Sequence, residues 1–170
     1  MRNRHLFLAA LVVPIFSVRV QSDEPAVPAP ARIEVVNDAG KTFKFTLADL
    51  EQLSKQDVTA KDHKGEHAKY TGVLVADVLK QAEVKLGGQL RGKLLANYLL
   101  VEASDNYRVV FSLPEIDPES TDAVALLAYS RNAVPLDAAH GPFQIVVPAE
   151  KRHTRWVKQV VRLTVRSDSK

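Results

Sequence analysis

The sequence predicts an α+β fold, a single compact mixed-sheet domain with short helices. Strand-like runs come in pairs joined by tight-turn residues, at Asp38-Ala39-Gly40 and again at Asp105-Asn106. The helical segments are short and isolated, whereas a βαβ array would place one after every strand. The chain has 170 residues and no cysteine. About 150 residues outside an N-terminal leader fill one hydrophobic core and hardly two. No disulfide substitutes for that core.

The elements follow in chain order. Residues 1–4 carry two arginines, and Leu6 to Phe16 is an apolar run interrupted only by Pro14. Eleven residues are too few to cross a bilayer and suit the apolar region of a secretory signal. Val20-Gln21-Ser22 offers small or aliphatic side chains to a signal peptidase, so cleavage is expected after Ser22. Residues 1–22 are then a signal peptide and 23–31, DEPAVPAPA, a Pro/Ala-rich leader with three prolines. Residues 32–167 form the domain. No later segment approaches eighteen consecutive apolar residues, so the mature protein is expected to be exported, periplasmic or otherwise, and free of the membrane.

Within the domain, Ile33 to Asn37 and Thr42 to Leu47 read as a hairpin whose Gly40 takes positive φ. Thr46 caps a short helix carrying Leu47, Leu50 and Leu53 on one side. Asp57 to Ala60 reads as a short strand and Lys61 to Lys69 as a polar connection. Gly72 is expected to turn the backbone into a helix from Leu74 to Ala82, whose apolar face is Leu74, Val78, Leu79 and Ala82. Asn97 to Ser104 and Tyr107 to Leu113 alternate as a second hairpin, with Leu99, Val101 and Ala103 inward. Pro114-Glu115 opens a turn or short helix, and Ala123 to Tyr129 suits a buried strand or a helix. Phe143 to Val147 is a strand stopped by Pro148. In the last strand Val157, Val161, Leu163 and Val165 alternate with Lys158, Arg162, Thr164 and Arg166, the pattern of a half-buried strand with a solvated face.

Charge narrows the partners. Removing residues 1–22 takes away Arg2, Arg4 and Arg19 and no acid, so 23 basic residues become 20, equal to the 20 acidic ones. A mature formal charge of zero gives no general attraction to nucleic acid. There is no Gly-x-Ser-x-Gly elbow and no phosphate loop. His63 and His67 are four apart, as in many zinc sites on helices. Gly65 and the polar setting argue for a loop instead, and spacing marks no third ligand, so no metal site is assigned.

One stretch carries more. From Leu126 to Val165 an alanine-rich segment leads to Asn132, Pro135 and Leu136, then His140-Gly141-Pro142, a strand ending at Pro148, and the pair Arg155-Trp156 before the final strand. This order resembles the oxidoreductase molybdopterin-binding domain family, the fold of sulfite oxidase and its bacterial relatives. Tyr70-Thr71-Gly72-Val73-Leu74 and Asp105-Asn106-Tyr107 resemble further steps of that family. The resemblance covers most of residues 32–165 and is strongest at the C-terminal end. It implies a sulfite oxidase-like fold, molybdopterin as cofactor, and an oxidoreductase working with an exported redox partner, since no haem or iron–sulfur motif is present.

The family's metal is held by a pterin dithiolene and one protein cysteine, and here the cysteine is missing. By chain order its loop corresponds to Val58 to His63, with Ala60 nearest the cysteine position; no neighbour supplies a soft thiolate, so molybdenum is not supported. The resemblance places His140 beside the pterin and its phosphate, although a histidine before Gly141-Pro142 also suits a turn. It places Gln144 where relatives use arginine on the phosphate; glutamine lacks the charged bidentate fork. Arg155 would lie against the cofactor, so Arg155→Ala is expected to weaken ligand binding without unfolding the domain. Trp156, the only tryptophan, is either its packing partner or a core residue. His63, by its imidazole, and Tyr107, as a pocket wall or a cross-strand packing residue, complete the cofactor-binding candidates; no catalytic residue is assigned. Two functions follow. One is a module binding a pterin-like or other anionic small molecule, or a protein partner. The other is a molybdenum-cofactor oxidoreductase with an atypical metal site. A third, structural reading has side chains filling the pocket.

Overall fold

Apolar residues at every second position of Ile33-Glu34-Val35 bury one face of a strand, and this strand begins the fold. The computed structural model describes residues 31–167; the expected signal peptide and all of the leader but Ala31 lie outside the described residues. β1 (Arg32–Val36) pairs antiparallel with β2 (Thr42–Thr46), and Gly40, at φ 79°, closes the turn. Thr46 caps α1 (Leu47–Leu50) in a reciprocal capping box with Asp49.

The polar connection expected at Lys61 to Lys69 is shorter than its composition suggests, with residues 62–66 as the turn and strand on either side. β3 (Lys55–Lys61) and β4 (His67–Leu74) form a hairpin paired from Lys55↔Val73 to Lys61↔His67. Its turn is organised by buried Asp62, whose Oδ1 accepts the N–H groups of Lys64 (2.8 Å) and Glu66 (3.0 Å). Polar composition signalled a loop, but one side chain turning the chain back over five residues lets both flanks pair.

Gly72 is corrected likewise. It lies inside β4, not at a turn, because a Cβ there would sit 2.7 Å from the Ala128 Cα of the neighbouring strand. The helix begins afterwards, as α2 (Val75–Gln81), burying Val75, Ala76, Val78 and Leu79. β5 (Tyr98–Ala103) and β6 (Arg108–Ser112) form the second hairpin, with Asn106 at φ 68°. The segment open between strand and helix is β7 (Leu126–Arg131), followed by β8 (Val134–Pro135), β9 (Gln144–Val146) and β10 (Val160–Arg166).

Two mixed-order sheets result. The first runs β2-β1-β10-β5-β6, with β1 and β10 parallel; the second runs β3-β4-β7-β8, with β9 also on β7. One contiguous core joins Ile33, Leu99 and Leu163 of the first sheet to Val73, Leu127 and Ile145 of the second and Leu79 of α2. The first sheet's polar face carries a row of alternating charge across all five strands. Lys44, Glu34, Arg162, Glu102 and Arg108 occupy successive register positions, with Arg162 Nη2 2.7 Å from Glu34 and Arg108 Nη2 2.8 Å from Glu102. Arg162 thus belongs to the solvated face, as its alternation predicts. Val161 does not face the core: a bulge between Val160 and Arg162 shifts the register, burying Val160 and leaving Val161 41% exposed. Among the described residues no helix is long and apolar enough to cross a membrane.

Candidate functional site

The residues from the Asn132 turn to the last strand must serve two neighbours at once. β8 pairs with the end of β7 (Ser130↔Pro135), while β9 pairs with its beginning (Ala128↔Gln144). The chain between them therefore loops away from the sheet, and His140 rides on that loop. Asp137 organises it: Oδ1 accepts the N–H groups of Ala139 and His140, each at 3.0 Å, and lies 2.7 Å from His140 Nδ1. That bond holds the Asp137 carboxyl below the usual carboxylate range. Gln159 clamps the loop from the other side, Nε2 donating to the Ala138 carbonyl at 2.6 Å and its backbone N–H to the His140 carbonyl at 2.8 Å. With Nδ1 engaged, Nε2 is the His140 nitrogen left for a ligand.

Beside this loop is a cavity of about 210 Å³. Asp62 and His63 enter it from the β3–β4 turn, Tyr70 from β4 and Arg131 from the end of β7. Gln144 enters from β9, and His153, Trp156 and Lys158 from the segment before β10. Tyr70 and Trp156 meet edge to face with ring centroids 5.7 Å apart; His153 lies 4.2 Å from Trp156 and the Arg131 guanidinium 5.8 Å from the Tyr70 ring. Trp156 Nε1 donates to the Val147 carbonyl at 3.0 Å, so the ring is both packed and part of the wall.

The polar groups are unevenly satisfied. Arg131 Nη2 donates to Asp62 Oδ2 at 2.7 Å. Burial pushes the Asp62 carboxyl up, but the N–H groups of Glu66 and Lys64 and the Arg131 guanidinium outweigh it and hold the carboxyl below its usual range. Burial raises the Tyr70 phenol. Asp62, the one acid of the lining, is thereby committed to Arg131, and Lys158 adds a cation. Two atoms have no partner. Gln144 is 3% exposed with Oε1 unbonded, and Arg131 Nε is likewise buried and unbonded. Unpaired buried polar groups are costly, and both of these belong to residues that line this cavity.

His63, His140, Gln144 and Trp156 line this one cavity. Arg155 does not join them. The 3₁₀ turn His153–Arg155 aligns residues three apart, so His153 and Trp156 share the cavity side and Arg155 points elsewhere. Its Nε donates to Glu150 at 2.6 Å, its Nη1 to Glu115 at 3.0 Å, and the guanidinium lies 4.4 Å over Phe111. Tyr107 donates its hydroxyl to the Thr154 carbonyl at 2.6 Å and lines an adjoining cleft of about 240 Å³ that shares His153, Trp156 and Lys158. Sequence reasoning missed Asp62, Arg131 and His153 and gave Lys158 to a solvated face. A lone arginine ending an apolar run directly before the Asn132 turn was the readable sign of Arg131.

A larger groove, of about 560 Å³, runs over the second sheet between α1 and the β7–β8 turn. Its charged pair is internal, Asp57 holding Lys69 at 2.9 Å and the Thr71 hydroxyl at 2.6 Å, and it holds none of the unpaired buried atoms.

A two-sheet α+β domain with a ring-walled, cation-bearing cleft beside its last strands is the class defined by fold and site. The model of the oxidoreductase molybdopterin-binding domain matches residues 23–170, and the chain belongs to that family. Among solved structures it is similar to the sulfane dehydrogenase SoxCD from Paracoccus pantotrophus, at a TM-score of 0.61 and 21% identity, a likeness of fold. The match covers 79% of this chain and 38% of that one, so the chain spans under half of that protein's length. No curated protein matches the chain by sequence.

The family's cofactor can be tested against these residues in two parts. Its planar ring system fits: aromatic walls, the unpaired Gln144 amide and Arg131 Nε are the groups that would hold it. The thiolate that ligates its metal does not exist, since the chain has no cysteine. Ala60, nearest the cysteine by chain order, is 6% exposed in the core and lies outside the cavity lining. His63 sits in the turn and His67 in β4, and no three His, Cys, Asp or Glu side chains group to hold a metal among the described residues.

Proposed function

We propose that this chain is an exported binding module that takes a pterin-like or related anionic planar small molecule into the cavity beside β9, without the family's usual metal ligand. The observation that carries the reading is the pairing of ring walls with unsatisfied polar atoms, Gln144 Oε1 and Arg131 Nε, in one cavity whose only acid is spent on Arg131. Trp156 and Tyr70 provide faces for stacking. Lys158 provides charge attraction for an acidic substituent, and the adjoining cleft past Lys158 has room for it. His140, with Nδ1 held by Asp137, offers Nε2 as a directed hydrogen-bonding group.

The test is elemental and pterin analysis of the mature protein, purified from the exported fraction of a host that makes molybdenum cofactor. Pterin in stoichiometric amount with little molybdenum is the expected result. Stoichiometric molybdenum with pterin would replace this reading by an oxidoreductase with a ligand other than cysteine. Absence of both would remove the small-molecule reading and turn the search to protein partners.

A further inference from the structure

Gln144 is an anomaly by physical standards. It is the first residue of β9, 3% exposed, and its backbone is paired at Ala128↔Gln144. Its Oε1 has no hydrogen-bond partner, and no hydrogen bond to its amide occurs among the described residues. An apolar side chain of similar size would occupy the position at no such penalty. A buried amide left unpaired beside a cavity is a donor and an acceptor awaiting a partner.

We propose that Gln144 selects the ligand by pairing with a lactam edge, the adjacent C=O and N–H of a planar heterocycle. The inference rests on the ring-binding reading above and deepens it by naming the ligand class. A carboxamide offers one acceptor and one donor side by side, the complement of that edge, as glutamine uses when it reads a base edge bidentately. The surroundings suit a ring in that plane. Trp156 and Tyr70 present aromatic surface, and Arg131, which lines the same cavity, carries a second unbonded buried donor, Nε. Arginine at this place would favour an anion; glutamine shifts recognition from charge to the pattern of the ring edge. Gln144 is then a specificity-determining residue kept against its own cost in stability.

The experiment titrates the mature protein with pterin, and separately with pterin methylated on the lactam nitrogen, following the fluorescence of Trp156, the chain's only tryptophan. Gln144→Leu and the unbranched Gln144→Met are titrated in parallel, and urea midpoints are measured for all three proteins. Pterin should bind the native protein, and both the methylated ring and the two variants should lose about 10- to 100-fold in affinity. The variants' urea midpoints should stay equal or rise, which a merely structural amide would not allow. Two results would overturn the inference: equal binding of both rings with unchanged affinity in the variants, or midpoints lowered in both variants. If neither ring binds the native protein at all, the ring-binding reading falls and this one with it.

Discussion

Replacing Gly72 by alanine tests the packing that brings the two walls of the cavity together. Gly72 faces Ala128 across the β4–β7 ladder, beside a register shift between Thr71 and Gly72. A Cβ at this position would sit 2.7 Å from both the Ala128 Cα and the Leu127 carbonyl carbon, and closer still to the Leu127 carbonyl oxygen. These are backbone atoms of a central strand, so no side chain can swing aside and relief requires β4 and β7 to separate. Overpacking a tight interior costs about 1–3 kcal/mol and more where backbone must move, so about 3 kcal/mol or more is expected. That is a large part of the roughly 5–15 kcal/mol that holds a domain folded. Urea unfolding followed by Trp156 fluorescence should show the midpoint lowered by about 1 M or more. Gly65→Ala is the control: at φ 83° with nothing within 4 Å of the new Cβ, it incurs only the left-handed penalty, about 1–2 kcal/mol. If Gly72→Ala is no more harmful than Gly65→Ala, the close approach of β4 and β7 is not what requires glycine.

Other consequences follow from single contacts. Thr46→Ala removes the capping box with Asp49 and should cost about 1 kcal/mol, measurable as a lower urea midpoint. Arg155→Ala should lower stability by about 1–2 kcal/mol while leaving ligand affinity unchanged, because the side chain bridges Glu150 and Glu115 and covers Phe111 outside the cavity. Equal stability with weakened binding would return Arg155 to the site that its motif implies. Arg162 and then Lys44 hold the Glu34 carboxyl below its usual range, and the Thr71 hydroxyl and then Lys69 do so for Asp57. A carboxyl lowered on folding stabilises above its unfolded value, about 4, and loses that contribution as pH falls through its folded value. The urea midpoint should therefore be level between pH 7 and 5 and fall below about pH 4; Glu34→Gln should lessen the fall, and an equal fall in the variant would show that Glu34 takes no part in it.

Hairpins were legible because alternation and turn chemistry act locally. Asp38-Ala39-Gly40 and Asp105-Asn106 specify their turns within a few residues, and Thr46 marks the start of α1 as its cap. The β3–β4 hairpin was less legible because its turn depends on Asp62, whose carboxylate serves two backbone N–H groups and, across the fold, Arg131. Gly72 was misread since a glycine before an apolar helix looks the same whether it turns or admits a neighbour; only the position of Leu127 decides. At the cavity, motif order singled out His140, Gln144 and Trp156, which line it, but order says nothing of side-chain direction. Arg155 and His153 differ by two residues and point to different surroundings because a 3₁₀ turn separates them, a rotation no spacing rule in the sequence expressed.

Each wall of the cavity beside β9 is held by contacts within the protein itself. Gln144 is placed by the β7–β9 ladder, Trp156 by its bond to the Val147 carbonyl and its contact with Tyr70, and Arg131 by the Asp62 carboxylate. His140 is placed by Asp137 and Gln159. None of these supports passes through a cysteine, so the groups of the proposed ring site are held in place without a thiolate. Fold and chemistry separate at that point, and under the proposed function the remaining groups recognise the edge and face of a planar molecule. Ala60, packed in the core opposite Ala68 and outside the cavity lining, brings no ligand to it, which leaves the unpaired Gln144 amide as the group with most to gain from an occupant.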